Sequence, residues 1–322
     1  LYLDSDGIIS VLSHQQREGG LMLGRQTEEV SAAASGIDTW PDQHALAELL
    51  AGQRRGVAAV EGALPALGAA AALLARRMAE GGRLIYVGAG SSGLIAKLDA
   101  LELPATFGIS STQALALIAG GAASFEHLDG AAEDDPELGE RDVASVNVGI
   151  KDVVIGISAS GSTIYTCAAL KEAQARGAAT VGIACNAGAP IFAGVDVAVV
   201  LPSGGEVLAG STRMGAGTAQ KAALNLLSTL TAMKLGHVHD GMMVNVRAEN
   251  AKLRERAAVI VSRIAGVDAA LAAEKLKLAD YEPKLAILLA AGAKDLAEAK
   301  RIITESKGHL RPALAWLGAS PR

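Results

Sequence analysis

Three times along this chain a short apolar stretch runs into a loop of Gly, Ser and Thr and then into a helix-like segment. The stretches are Arg83-Leu-Ile-Tyr-Val-Gly-Ala-Gly-Ser-Ser-Gly93, Asp152-Val-Val-Ile-Gly-Ile-Ser-Ala-Ser-Gly-Ser-Thr163 and Gly210-Ser-Thr-Arg-Met-Gly-Ala-Gly-Thr-Ala-Gln-Lys221. Strands that alternate with helices must be joined by crossovers, which pair them in parallel and wind them right-handedly. The expected strands are Leu84–Val87, Leu115–Ile118, Val153–Ile157, Thr180–Ala184 and Val197–Leu201. Helices are expected at Gly93–Leu101, Tyr165–Arg176 and about Ala216–Leu235, with two more in the acidic stretch Ser124–Asp142. The fold class is therefore α/β, a doubly wound, five-stranded parallel sheet of flavodoxin-like type.

Residues 42–80 read as two helices. Asp42, after Pro41, is the expected cap of the first. Leu46, Leu49 and Leu50, then Leu64, Leu67, Ala71 and Leu74, recur at helical spacing, and Gly81-Gly82 ends the run. Before them the chain is polar and irregular, with a short helix expected around Ile9–Gln15. From about Asn250 the pattern is helical to the end. Pro283 opens one helix, Gly308 closes another and Pro312 opens the last. The expected organisation is an N-terminal segment (1–55), the sheet domain (56–240) and a small helical domain (250–322).

Half of the residues are hydrophobic but only 3% are aromatic. The core must therefore rest on Val, Ile and Leu, with Ala and Gly allowing close approach. A net charge of −5 without any basic block argues against nucleic-acid binding. Cys167 and Cys185 lie among apolar residues and read as packed thiols of a reducing compartment, hence the cytoplasm. No Cys/His spacing of a metal site is present, and neither metal nor cofactor is expected. His237 and His239 read as surface or capping residues. Leu1–Asp6 lacks the basic start and apolar core of a secretory leader. Charges such as Arg76 and Arg77 interrupt the apolar helical runs, so no membrane contact is expected.

A helix N-terminus offers free N–H groups and a partial positive charge. Placed after a strand and lined with hydroxyls, it forms a cradle for a small anion. Ser91 and Ser92 of the first loop, Ser158, Ser160, Gly161, Ser162 and Thr163 of the second, and Ser211 and Thr212 of the third, with Glu206 upstream, are the candidate substrate and phosphate ligands. Ser and Gly also favour an ordinary capped turn. A P-loop is absent, because no Lys-Ser/Thr follows the glycines. Gly88-Ala-Gly-Ser-Ser-Gly93 has dinucleotide spacing, but Leu115–Ile118 runs into Ala119-Gly-Gly121 and not into the acidic residue that such a site needs. A single phosphate fits the serines better than a pyrophosphate.

With these loops in view, the chain resembles the N-acetylmuramic acid 6-phosphate etherases, in the wider sugar-isomerase-domain (SIS) group that also contains glucokinase regulatory proteins. The resemblance runs from about Thr27 to the C-terminus. It is carried by Thr27-Glu28, Ile37-Asp38-Thr39, Gly88–Gly93, Leu98-Asp-Ala100 with Glu102, Thr106-Phe-Gly108, Leu117–Gly121, Gly210–Arg213, Ala216–Lys221, Asn225–Thr229, Met243–Val246 and Asn250–Leu253. It implies an enzyme that removes D-lactate from C3 of a phosphorylated amino sugar, leaving N-acetylglucosamine 6-phosphate. It also implies a homodimer whose site is completed across the interface, for which the Ala-rich helices at 57–79 are the expected contact. The family's two functional glutamates map onto Glu102, as the acid for the leaving group, and Glu133, as the base for the C2 proton. Elimination needs both jobs, because the C2 proton is weakly acidic and an alkoxide leaves poorly.

Several family positions differ. Leu94 stands where the family has Arg, Ser162 stands for Arg in the second loop, and Gly215 stands for Lys in the third; Lys97 lies one turn after Leu94. An Arg–phosphate bond is charge-assisted and bidentate, and Ser is not its equal. An aldose–ketose isomerase on the same scaffold and a non-catalytic sugar-phosphate sensor therefore stand beside the etherase as alternatives.

Overall fold

The computed structural model describes residues 26–127, 130–246, 248 and 250–318, so the expected helix at Ile9–Gln15 lies outside them. Five strands, β1 (Leu84–Gly88), β2 (Ala114–Ile118), β3 (Val153–Ile157), β4 (Ala179–Ala184) and β5 (Val197–Val200), form one sheet in the order β2-β1-β3-β4-β5. All pairings are parallel. The doubly wound sheet is the one expected, with each strand end within a residue of its expected place. Strands β1, β3 and β4 are buried throughout, which is why they read as unbroken apolar runs and show no alternation. From β1 the chain winds outward to β2, then returns to β3 on the other side. The winding therefore reverses between β1 and β3, and the loops that follow these two strands leave adjacent carboxyl ends. Gly88 is in register with Ile157 there.

Helices cover both faces. On one lie α2 (Leu64–Ala79), α3 (Gly90–Phe107) and α7 (Gly215–Lys234), whose Leu67, Leu74, Leu103 and Leu224 pack with Tyr86, Ile155 and Ile183. The other face holds α5 (Pro136–Ser145) and α6 (Ile164–Ala175), preceded by the single turn α4 (Gly130–Glu133). There Val143, Tyr165 and Leu170 meet Ile85, Val87 and Val154. Successive strand residues thus serve opposite cores. Helix α1 (Asp42–Ala58) passes through residue 55 and lies against α7, where a Cβ on Gly56 would fall 2.2 Å from the Gly215 carbonyl oxygen.

Asp42 does not cap α1. Pro41 holds the cap position and no side chain bonds the first amides, so Asp42 acts through its charge on the first turn. Asp42–Ala79 is long and apolar enough to cross a membrane by length and hydropathy alone. It folds as two helices broken around Glu61–Ala63, and α2 buries Leu67, Ala70, Ala71 and Leu74.

Beyond α7 a two-stranded ribbon, β6 (Val238–His239) and β7 (Met242–Met243), leads to helices α8 (Ala251–Ala265), α9 (Ala269–Leu278), α10 (Pro283–Ala290), α11 (Leu296–Glu305) and α12 (Leu310–Trp316). These have their own core, including Val261, Leu276, Ile287, Ile302 and Leu314. Asn250, Asp268 and Asp295 cap three of the helices by accepting amide N–H bonds. Pro283 opens α10 as expected, whereas Pro312 falls inside α12. His239 lies in the interior and not at the surface, whereas His237 is half-buried and bonds the backbone of Phe107 at the end of α3, a capping contact. His239 is buried, and burial pushes the His237 imidazole down to about 4.

Candidate active site

Helix α3 begins directly after β1. Ala89 supplies no capping side chain, so the amides of its first turn stay free of side-chain acceptors. Gly88 and Gly93 bring strand and helix together, since a Cβ on Gly93 would lie 2.8 Å from the Gly88 carbonyl oxygen. Ser92 is buried and donates to Gln220 Oε1 at 3.0 Å, while Ser91 stays partly exposed at the helix start. The Glu133 carboxylate, from the end of α4, reaches over this turn. Its Oε1 lies 2.7 Å from the position a Cβ on Gly90 would take. Burial first, and the neighbouring Asp134 second, hold the Glu133 carboxyl above the usual carboxylate range. A group among acidic neighbours, which read as a solvated face, is thus folded against the first loop.

The second loop leaves β3 alongside. Ser158 Oγ lies 2.8 Å from Thr163 Oγ1 and accepts the Gly161 amide at 3.0 Å. Ser160 Oγ accepts from the Ser162 amide at 3.2 Å and from Ser162 Oγ at 3.0 Å. Gly161 has φ of 75°, and a Cβ there would collide with Ala189 Cβ at 2.4 Å. Thr163 precedes α6 without a side-chain cap bond, so this helix start also keeps its amides uncapped. The hydroxyl cluster can rotate its protons toward an anion, and the two uncapped helix starts flank the reversal point.

The third loop departs from the expectation that every loop aims free amides at an anion. Glu206 is buried and spends both carboxylate oxygens on α7, accepting from the Gly215 amide at 2.9 Å and the Ala216 amide at 2.8 Å. It caps α7 with the chain's own anion. Ser211 and Thr212 precede this capped end, Ser211 in a turn whose amide donates to Leu208. A Cβ on Gly215 would lie 3.1 Å from Glu206 Oε2 and 3.2 Å from the Gly52 carbonyl oxygen, so a larger residue there would crowd both the capping carboxylate and α1.

Glu102 sits far along α3. Twelve residues separate it from Gly90, a rise of roughly 18 Å at helical pitch. Its side chain is half exposed, with Lys221 Nζ 3.9 Å away. Below it Asp99, 1% exposed, accepts from Tyr86 Oη and Asn225 Nδ2, both at 2.7 Å, and from Ser228 Oγ at 3.1 Å. Asn225 Oδ1 in turn accepts from Lys221. Lys221, Asn225 and Ser228 share one face of α7. Within one chain, then, Glu133 reaches the first loop, and the third segment is tied to both others, its Gly210 amide donating to the Thr27 carbonyl at 3.1 Å and its Gln220 accepting from Ser92, while Glu102 lies further along α3.

Two groups escaped the sequence reading as individuals. Asn186, just past β4, donates to the Ser160 carbonyl at 3.1 Å and reaches Thr27 Oγ1 at 3.4 Å, tying the fully buried Thr27 to the second loop. Gln220 receives Ser92 and leaves its Nε2 buried without a partner. The end of β4 is the only signal that could have singled out Asn186.

A five-stranded parallel sheet with helices on both faces and two uncapped helix starts at its reversal point has the architecture of the SIS class. The family model for the glucokinase regulatory protein N-terminal SIS domain matches residues 67–174. The chain is 43% identical to an N-acetylmuramic acid 6-phosphate etherase of Streptomyces avermitilis, over 92% of this chain and 94% of that protein. It is 42% identical to one of Deinococcus radiodurans over 90% and 95%, and 41% identical to one of Burkholderia lata over 92% and 97%. The chain belongs to the N-acetylmuramic acid 6-phosphate etherase family.

Proposed function

We propose that this protein is a carbon–oxygen lyase that cleaves the D-lactyl ether of N-acetylmuramic acid 6-phosphate, in the recycling of cell-wall sugar. The observation that carries this reading is Glu133. Its carboxylate lies over the start of α3, beside the hydroxyl cluster of the adjacent loop, in surroundings that raise its proton affinity. With the phosphate on Ser158, Ser160, Ser162, Thr163 and the start of α6, C2 of the open-chain sugar is within reach of such a base. Glu133 removes the C2 proton, the electrons move to the aldehyde oxygen as an enolate, and the C3–O bond then breaks. Glu102 protonates the departing lactate oxygen. Water adds to the C2–C3 double bond, its hydroxyl going to C3 as Glu102 takes its proton back, while Glu133 returns a proton to C2. Substrate plus water thus gives N-acetylglucosamine 6-phosphate plus D-lactate.

Glu102 lies too far along its helix to serve the Glu133 of its own chain, so the reading places it in the site of a second copy. Its neighbours support this. Leu98 and Leu101, one turn and one residue before it on α3, are exposed, as are Leu46, Leu50 and Leu64 on α1 and α2. A homodimer covers that apolar surface. The two unpaired cysteines fit a reducing cytoplasm.

The test is D-lactate release from N-acetylmuramic acid 6-phosphate by the purified protein. Release is expected, and Glu133→Gln lowers kcat by about 10²- to 10⁴-fold, the range for a lost general base. Saturable binding of the sugar phosphate without any release refutes the lyase. It favours a sugar-phosphate sensor, the reading that the missing basic residues at Leu94, Ser162 and Gly215 favour.

A further inference from the structure

A cavity of about 750 Å³ opens between the sheet domain and the C-terminal helices, away from both loops. Its lining includes Gly108 at the end of α3, Asn245 after β7, and Tyr281, Glu282 and Lys284 at the start of α10. The volume lies within the range of small-molecule sites. Three observations say what would fill it. The Lys284 ammonium is largely removed from water, and no carboxylate among the described residues offsets its charge; burial lowers it to about 8. The start of α10 has no side-chain cap, and Pro283 has no amide, so the amides of Lys284 and Leu285 are left for an outside acceptor. Nearby His237 carries a buried Nδ1 with no partner, and its proton affinity is lowered further by the charge of Lys284 and by His309.

Groups that would repel a second negative charge are present too. Asp280 and Glu282 line the same cavity and are exposed. Asp280 and Tyr281, at φ of 49° and 60°, form a left-handed turn that carries the chain around its edge. One cationic anchor in a cavity that two carboxylates also line selects a singly charged anion over a phosphate dianion.

We infer that this cavity is a second ligand site, for a small organic carboxylate held by Lys284 and the two free amides of α10. It stands independently of the reaction proposed above, because neither glutamate nor either anion loop lines it. A bound carboxylate bonds the floor at Lys284 and packs against residues of both units, so occupancy joins the helical domain to the end of the helix that bears Glu102.

The experiment is amine labelling of the full-length protein near pH 8, with the modification of Lys284 followed by peptide mass spectrometry. Acetate, D-lactate, glycine and inorganic phosphate are titrated separately. A carboxylate beside an ammonium raises its pKa by about one unit or more, which cuts the reactive neutral fraction from half to about a tenth. Labelling of Lys284 therefore slows by about fivefold at saturation with one of the three carboxylates, and the other lysines are unaffected. The same protection persists in Glu133→Gln, whereas Lys284→Met loses any saturable thermal shift. Absence of saturable protection by every carboxylate overturns the site. Protection by phosphate alone overturns the carboxylate assignment. The labelling uses the unaltered chain, so a Lys284→Met protein that fails to fold leaves the result standing.

Discussion

Gly90 and Gly161 offer a way to separate catalysis from stability with one methyl group each. Both have positive φ, 52° and 75°, so Ala at either position carries the left-handed penalty of about 1–2 kcal/mol. They differ in what the new methyl meets. At Gly161 it meets Ala189 Cβ at 2.4 Å and Ala184 Cβ at 2.8 Å, atoms fixed to backbone. Overpacking of this kind adds about 1–3 kcal/mol, for a total of about 2–5 kcal/mol. At Gly90 it meets Glu133 Oε1 at 2.7 Å, the free end of a side chain, which must retreat by about 0.7 Å to reach an ordinary contact of 3.4 Å. A displacement near 1 Å at a reacting group costs about a hundredfold in rate. Gly90→Ala should therefore lower kcat for D-lactate release by between about tenfold and a hundredfold, with a fall in Tm of only a few degrees. Gly161→Ala should lose much more stability. The assay is kcat and KM beside a thermal melt, repeated in a Glu133→Gln background, where Gly90→Ala has nothing left to displace and should have no further effect on kcat. A Gly90→Ala enzyme with unaltered kcat refutes the placement of Glu133 as base. So does an equal rate loss in the Glu133→Gln background.

Other outcomes follow from the polar networks. Lys221→Met removes the cation beside Glu102 and a partner of Asn225; it should lower kcat more than it alters KM, and an unaltered kcat with a lowered Tm means that Lys221 only supports the fold. Arg83 joins Asp152 at 2.7 Å and the Val146 and Asn147 carbonyls at 3.0 Å, locking the starts of β1 and β3 together. Arg83 is half-buried and Asp152 keeps its bonds from the residue 83 and Gly149 amides, so Arg83→Met should cost about 1–3 kcal/mol and lower the denaturation midpoint. Arg83 holds the folded Asp152 pKa below its usual value. The stabilisation is therefore complete above the unfolded carboxylate pKa and is lost as pH falls through the lower folded one. Acid melts of the wild type should show this loss, and the Arg83→Met melt should show less of it, because the Gly149 and residue 83 amides still bond Asp152.

The sheet was legible because its central strands are buried on both faces and bounded by glycine, which gives local signals at each end. Strand order, and with it the pairing of the first two loops, is set by contacts between distant segments. The three loops had the same local chemistry, so the sequence could not show that Glu206 would fold onto the start of α7 while nothing capped α3 or α6. Glu133 read as one member of an acidic run, since only folding of the α4 turn against Gly90 separates it from Asp134. Hydropathy alone is ambiguous at 42–79 because it registers apolar content, whereas the face that meets α7 is decided by Leu67, Ala71 and Leu74 at helical spacing.

On the function and dimer proposed above, helix α3 is a single rod with one site's anion cradle at its head and a glutamate for another site in its fourth turn. Under the dimer reading, each polypeptide is then half of two catalysts. A chain lacking Glu102 and a chain lacking Glu133 would each be silent alone. Assembled together, they would pair one intact Glu133 with one intact Glu102. The two defects would complement when both genes are expressed in one cell, and a defect in only one of two gene copies would be inherited as recessive.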